Sequence, residues 1–261
     1  MKTETNTLPG VKVCLINLPR SRERREAMQK RLAEIGLTYT LFAAIDGREE
    51  RARLFEHVDV PAFQRNVGRD VLPGEVGCYF SHITVWQQFV DSGEDFLLVL
   101  EDDVVFGPDF LDALRLAVRA RAHWDFLKLN KIRAHQPVCQ GLVGPYRLNA
   151  YLGAATGFGA YLIQRETARR LLPAMLPITR PIDHELDRYH VHQLRHFGLE
   201  PFPSYVRDDN QSTITGHAFN AVRKYPWYIR LPVYGLRWRN FWGRFFYLLK
   251  TGRLVPKSLS L

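Results

Sequence analysis

The sequence predicts an α/β domain: a mainly parallel sheet with helices on both faces. Three observations carry this. Short apolar runs alternate with stretches of helical periodicity from residue 11 to about residue 172. One run, Phe96-Leu97-Leu98-Val99-Leu100, is apolar throughout, as a strand buried on both faces should be. The 261 residues, 46% of them hydrophobic, suffice for a sizeable core.

The elements follow in order. Val11-Lys12-Val13-Cys14-Leu15-Ile16 reads as the first strand, and Asn17 to Ser21 as a loop with Ser21 placed to cap a helix. That helix carries Arg24, Met28, Leu32 and Ile35 and stops at Gly36. Tyr39 to Ala43 is a second strand, ending at Ala44-Ile45-Asp46-Gly47. Residues 48–72 are charged and irregular. Gly74-Glu75-Val76-Gly77-Cys78 opens a helix bearing Phe80, Val85, Trp86 and Phe89. After the apolar strand come a helix near 110–122, a strand at Phe126-Leu127-Lys128-Leu129, and a variable loop over 131–150. Gly153 to Gly157 leads into a strand at 159–163 and a helix at 166–172.

The three cysteines, Cys14, Cys78 and Cys139, are odd in number and widely spaced, which suits reduced thiols in a cytosolic protein. The first ten residues are polar and show no apolar stretch of a signal peptide, and no run reaches the length of a spanning helix. The formal net charge is +9 and is localised. No acid follows Asp209, whereas nine of the 36 basic residues do; the 27 that remain equal the 27 acids. A neutral body with a basic tail argues against general nucleic-acid binding and for one dedicated basic surface. The expected division is a domain over residues 1–218 and a tail over 219–261.

The apolar strand runs straight into Glu101-Asp102-Asp103. Carboxylates there must be hydrated, paired or bound to a cation, because an unpaired buried charge is costly. In open α/β sheets ligands gather beyond the carboxyl ends of strands. A hard divalent ion, Mg²⁺ or Mn²⁺, held by one or two of these oxygens and completed by a ligand's phosphates, meets the need. The alternative is a solvated turn capping the next helix, with Asp109 and Asp112 just beyond.

Several segments together resemble glycosyltransferase family 25, the lipooligosaccharide and collagen galactosyltransferase group. They are Ile16-Asn17-Leu18 with Arg20 and Arg24, Ala44 with Asp46-Gly47, Gly74 to Cys78 with Ser81-His82, Trp86, Glu101-Asp102-Asp103 and Gln211-Ser212-Thr213-Ile214. The resemblance covers roughly residues 11–215. It implies a GT-A-like, Rossmann-type fold, a nucleotide-diphosphate sugar donor, often with galactose as the sugar, a need for Mn²⁺, and inversion at the anomeric carbon.

Under that resemblance Asp103 is the main metal ligand, and Asp102 contacts the metal or the ribose. Glu101 orients the strand end or touches the donor. Asn17, Leu18, Arg20, Asp46, Gly47, Ser81, His82 and Gly157 join the donor site. Asp46 suits a uracil N–H or ribose hydroxyl, Arg20 or Arg24 a phosphate, and His82 a diphosphate or a neighbouring acid. Inversion needs a base for the acceptor hydroxyl. The best candidate is Asp183 in Arg180-Pro181-Ile182-Asp183-His184-Glu185, with Glu185 and Asp187 as rivals. His192 and His196 have the spacing of a metal pair but lack the Glu of a zinc-protease helix, and read as exposed helix residues.

Residues 219–247 hold eleven aromatics. On a helix over 237–250, Trp238, Phe241, Trp242, Phe245, Phe246, Leu248 and Leu249 fall on one face. Arg237, Arg239, Asn240, Gly243, Arg244 and Lys250 fall on the other. This pattern suits a helix lying on an anionic membrane surface; a helix docked on the protein's own core is the alternative. The expectation is a metal-dependent UDP-sugar transferase on the inner face of the cytoplasmic membrane, acting on a lipid-linked oligosaccharide such as the lipooligosaccharide core. Competing readings are the same fold using glucose or N-acetylglucosamine, and a non-catalytic membrane or carbohydrate adaptor.

Overall fold

A computed structural model describes residues 8–206 and 223–254. The matching segment Gln211-Ser212-Thr213-Ile214 and the aromatic Phe219 lie outside the described residues. The chain builds β1 (Val11–Asn17), α1 (Arg22–Glu34), β2 (Thr40–Ala43), α2 (Arg51–Phe55), α3 (Val60–Val67) and α4 (Pro73–Ser92). There follow β3 (Phe96–Glu101), β4 (Val104–Phe106), α5 (Phe110–Arg119), β5 (Phe126–Lys128), β6 (Arg133–Ala134), β7 (Pro137–Val143), β8 (Tyr146–Tyr151) and β9 (Ala155–Thr156). The rest are β10 (Ala160–Gln164), α6 (Arg165–Leu171), α7 (Ile182–Leu186), α8 (Tyr189–His192), β11 (His196–Glu200), β12 (Ser204–Val206) and α9 (Leu231–Lys250).

Eight strands form one sheet in the order β2-β1-β3-β10-β5-β11-β8-β7. The pairings make β2, β1, β3, β5, β11 and β7 run one way, while β10 and β8 are inserted against them. The sheet is therefore mainly parallel, as the sequence predicts, and mixed at two strands. Parallel crossovers are right-handed, so α1, which steps outward from β1 to β2, and α4, which steps back to β3, must cover opposite faces. Met28 and Leu32 of α1 are buried on one side; Val76, Tyr79, Val85, Trp86 and Phe89 of α4 fill the other at helical spacing.

The apolar run is central because it has nowhere else to go. Leu97, Leu98, Val99 and Leu100 are all at 0% exposure, with β1 on one side and β10 on the other. Burying each such side chain is worth about 1.5–3 kcal/mol. The strand's direction then delivers its acidic end to the edge where β1, β2 and β5 also finish.

The structure differs from the sequence reading in four places. The expected loop over 131–150 is mostly a hairpin, β7–β8, turning at Gly144-Pro145 and burying Val143, Leu148 and Ala150; its Gly and Pro residues hide a short strand pattern. Residues 48–72 contain two short helices, the second capped when the Asp59 carboxylate accepts from Ala62 N–H at 2.9 Å. Ser21 stands at the start of α1 but makes no side-chain cap. His196 is not an exposed helix residue: it opens β11 and is buried, with Nδ1 3.1 Å from the Leu186 carbonyl.

Candidate active site

The carboxyl ends of β1, β2 and β3 converge on a cleft of about 280 Å³. Leu18, Arg20, Asp46 and Gly47 form one wall, and Ser81 and His82 of α4 the floor. Glu101, Asp102 and Asp103 lie at its centre, with Gly157 and Asp183 on the far wall. The sequence spreads these residues over more than 160 positions, and the fold gathers them in one place. Asn17 joins through Asp102, donating from Nδ2 to Oδ2 at 2.6 Å.

The wall of Leu18, Arg20, Asp46 and Gly47 is held by close backbone contact. A Cβ on Gly47 would lie 1.7 Å from the Pro73 carbonyl oxygen, and one on Gly77 would lie 2.5 Å from the Gly47 nitrogen. The loop after β2 is thus pressed onto the first turns of α4. Ser81 completes the joint: its hydroxyl accepts from Ile45 N–H at 2.9 Å and donates to the Gly77 carbonyl at 2.8 Å. Asp46 accepts from Arg48 N–H at 3.0 Å and is ion-paired to Arg20. Arg69 and Glu75, a buried ion pair, support this wall.

The three central acids differ in environment. Burial pushes the Asp102 carboxyl up, while bonds from Asn17 and Arg24 pull against it. Asp103 is pushed up to about 7, first by burial and then by the negative charges of Glu101 and Asp102. Arg24 approaches it only to 3.8 Å. One Asp103 oxygen, Oδ1, is buried and has no hydrogen-bond partner among the described residues. A buried carboxylate oxygen with no donor, beside two further acids, is the chemistry of a hard-cation site. The residues therefore fit Mn²⁺ or Mg²⁺, with Asp103 and Asp102 as the holders.

Cys78, His82 and Glu101 also place ligand-type atoms within 4.8 Å of one another. Two facts argue against a soft-metal site. The Cys78 thiol is pushed well above its ordinary value by burial and by Glu101, Asp183, Glu75 and Asp103, so it stays protonated. His82 has both nitrogens engaged. Its Nδ1 lies 2.8 Å from the Tyr161 hydroxyl, which also accepts from Trp86 Nε1–H at 2.8 Å. Its Nε2–H donates to the Glu101 carboxylate at 3.2 Å, so the partner of His82 is the neighbouring acid.

The far wall is braced by Lys128, a residue the sequence reading does not flag for the site. Gly157 takes φ +104°, open to glycine, and a Cβ there would meet Ile132 N at 2.7 Å. Its carbonyl and that of Ala155 accept from the buried Lys128 ammonium at 2.5 and 2.9 Å. Burial lowers Lys128 to about 8, against the pull of Asp183 and Asp187. A lysine inside an otherwise apolar strand was the available signal for this residue. Asp183 lines the cleft, accepting from Gly157 N–H at 3.2 Å and from His184 N–H at 2.8 Å.

The rival bases are placed elsewhere. Glu185 is outside the cleft lining and is enclosed by Arg180, Arg188 and His192 at 2.8–3.0 Å. Burial raises its carboxyl, but His192 and the two arginines outweigh that and hold it below the ordinary range. It is a structural ion pair, which corrects its expected catalytic role. Asp187 is buried, accepts from Ala155 N–H at 2.9 Å, and is ion-paired to Arg244 of α9.

Residues 11–186 match the model of glycosyltransferase family 25 (LPS biosynthesis protein). The chain belongs to glycosyltransferase family 25. Its relatives in the family include procollagen galactosyltransferase 1 of Danio rerio, 28% identical over 236 residues, covering 80% of this chain and 39% of that protein. A glycosyltransferase 25 family member of Aedes aegypti is 30% identical over 167 residues, covering 61% and 27%. A probable inactive glycosyltransferase 25 family member 3 of Bos taurus is 30% identical over 227 residues, covering 76% and 38%. The chain thus spans less than two fifths of each of these relatives. Among solved structures, A197 from STIV aligns at a TM-score of 0.42 with 15% identity, over 76% of this chain and 86% of that one.

Proposed function

We propose that this family 25 chain is a metal-dependent, inverting transferase that moves a sugar, galactose in the leading reading, from a UDP-sugar to a lipid-linked oligosaccharide such as the lipooligosaccharide core. The observation that carries the reading is the buried Asp103 Oδ1, without a hydrogen-bond partner among the described residues, beside Glu101 and Asp102 and across one cleft from Asp183. Family membership and the galactosyltransferase relatives support the reaction class.

Asp103 and Asp102 would hold Mn²⁺ or Mg²⁺, which when bound supplies positive charge to the departing diphosphate. The chain's own residues account for the rest. Arg20 and Arg24 add positive charge on the donor side. Asp46 and Leu18 border the space for the nucleoside. Asp183, held by two backbone N–H groups, accepts the proton of the attacking hydroxyl. Lys128 fixes the Gly157 turn that positions Asp183. Glu101 is kept in place by His82 and lies beside the cation holders.

A transferase of the same fold using UDP-glucose or UDP-N-acetylglucosamine shares every one of these groups. Some family relatives carry the description inactive, but a chain that retains all three rim acids and Asp183 has not lost this machinery. The test is calorimetry with UDP, with and without Mn²⁺, followed by a hydrolysis screen over UDP-sugars. Cooperative binding of UDP and Mn²⁺, lost in Asp103→Ala with folding retained, is the expected result. Full UDP affinity in Asp103→Ala, or donor hydrolysis unchanged by chelation, would overturn the metal role.

A further inference from the structure

Helix α9 is docked on the domain along one side. Val233, Arg244 and Leu248 are buried there, and Tyr247 donates to the Leu194 carbonyl at 3.3 Å. A Cβ on Gly243 would meet the His190 ring at 2.5 Å, so the helix sits tight against α8. Arg244 is the deepest contact: it pairs with Asp187 and donates to the Leu152 carbonyl at 2.8 Å. The helix-wheel reading of the sequence is corrected here, since Arg244 and Leu248 belong to the docked side.

At about 100° per residue, the docked residues centre on one direction, and Leu231, Trp238, Trp242 and Leu249 centre opposite to it. That outer side is bare. Trp238 is 69% exposed, Leu231 57% and Leu249 55%. Trp242 lies 6.1 Å from Trp238 and 5.9 Å from Phe246 between ring centroids, so the aromatics form one continuous patch. Trp227, Tyr228 and Ile229, just before the helix, are exposed too. Exposed cations border the stripe on one side, Arg239 and Lys250, about 80–100° round from its centre. No acid occurs between residues 210 and 261.

We propose that this outer face of α9 docks on an anionic phospholipid bilayer, with the indole and phenyl rings at the level of the headgroups and the flanking cations on lipid phosphates. The pattern of an apolar stripe with a basic margin is that of an interfacial helix. A second copy of this chain is disfavoured as occupant, because the segment after residue 209 holds no acid to pair with that margin. Among the described residues no helix is long and apolar enough to cross a membrane. The inference stands independently of the donor and the metal.

The test uses the full chain and vesicles of phosphatidylcholine with or without phosphatidylglycerol. Expected is binding to the anionic vesicles only, weakened by salt and reduced roughly fivefold for each of Arg239 and Lys250 changed to Ser. Brominated lipid should quench the tryptophan fluorescence of the unaltered chain, since Trp86 and Trp124 are fully buried and Trp227, Trp238 and Trp242 are not. Trp238→Ser with Trp242→Ser should abolish the quenching while UDP binding persists. Absence of quenching in the unaltered chain, equal binding to neutral vesicles, or dimerisation abolished by the same two substitutions would each overturn the proposal.

Discussion

Two acidic regions flank the cleft, and they are opposites. At the end of β3, three carboxylates share a small space, Arg24 lies 3.4 Å from Asp102 and 3.8 Å from Asp103, and a buried oxygen of Asp103 has no hydrogen-bond partner among the described residues. Around α7 and the residue after it, Glu185 meets two arginines and a histidine, while Asp187 meets Arg244 and a backbone N–H. One region is left short of positive charge and the other is satisfied. Burial alone therefore does not distinguish the candidate acids of the cleft from the paired ones. Whether their partners are already present does.

The comparison breaks most directly at the two neighbouring acids of α7. Asp183→Asn should lower kcat by about 10²–10⁴-fold with UDP affinity retained, whereas Glu185→Gln should leave kcat within about threefold and lower the melting temperature. Equal losses of kcat in both would erase the distinction. Next in size, Arg244→Met leaves the buried Asp187 charge uncompensated and should cost about 3–5 kcal/mol in denaturant unfolding. An unchanged midpoint would mean that Asp187 has another partner.

The smallest effect lies in pH. Burial, and then Lys128, depress His196 to about 3. The folded state holds this imidazole neutral, so the unfolded chain binds the extra proton below about pH 6.5. Stability is therefore present above that pH and falls on acidification toward pH 3, by up to ~1.4 kcal/mol per pH unit from this residue. Unfolding midpoints of the chain and of His196→Phe, measured between pH 7 and 5, check it: the substituted chain should show the flatter profile.

Much of this was legible in the sequence because it rests on local pattern. The all-apolar β3 run had to be central, its acids had to emerge at the rim, and α4 showed its buried face by spacing. The β7–β8 hairpin was not legible, since Gly and Pro interrupt its alternation. Nor were the partners of Glu185 and Asp187, because Arg180, Arg188 and His192 are close in the chain without announcing their directions, and Arg244 is 57 positions away. The setting of His82 depends on Tyr161 and Trp86, which only the fold brings together.

The fused backbones at Gly47 and Gly77 carry a consequence for how this cleft can change. With no room for even a methyl group there, that wall is fixed, and change at either glycine must disturb the other. Variation in what the cleft admits then falls to the side chains of Ile132, Phe158 and His184, which border the same space.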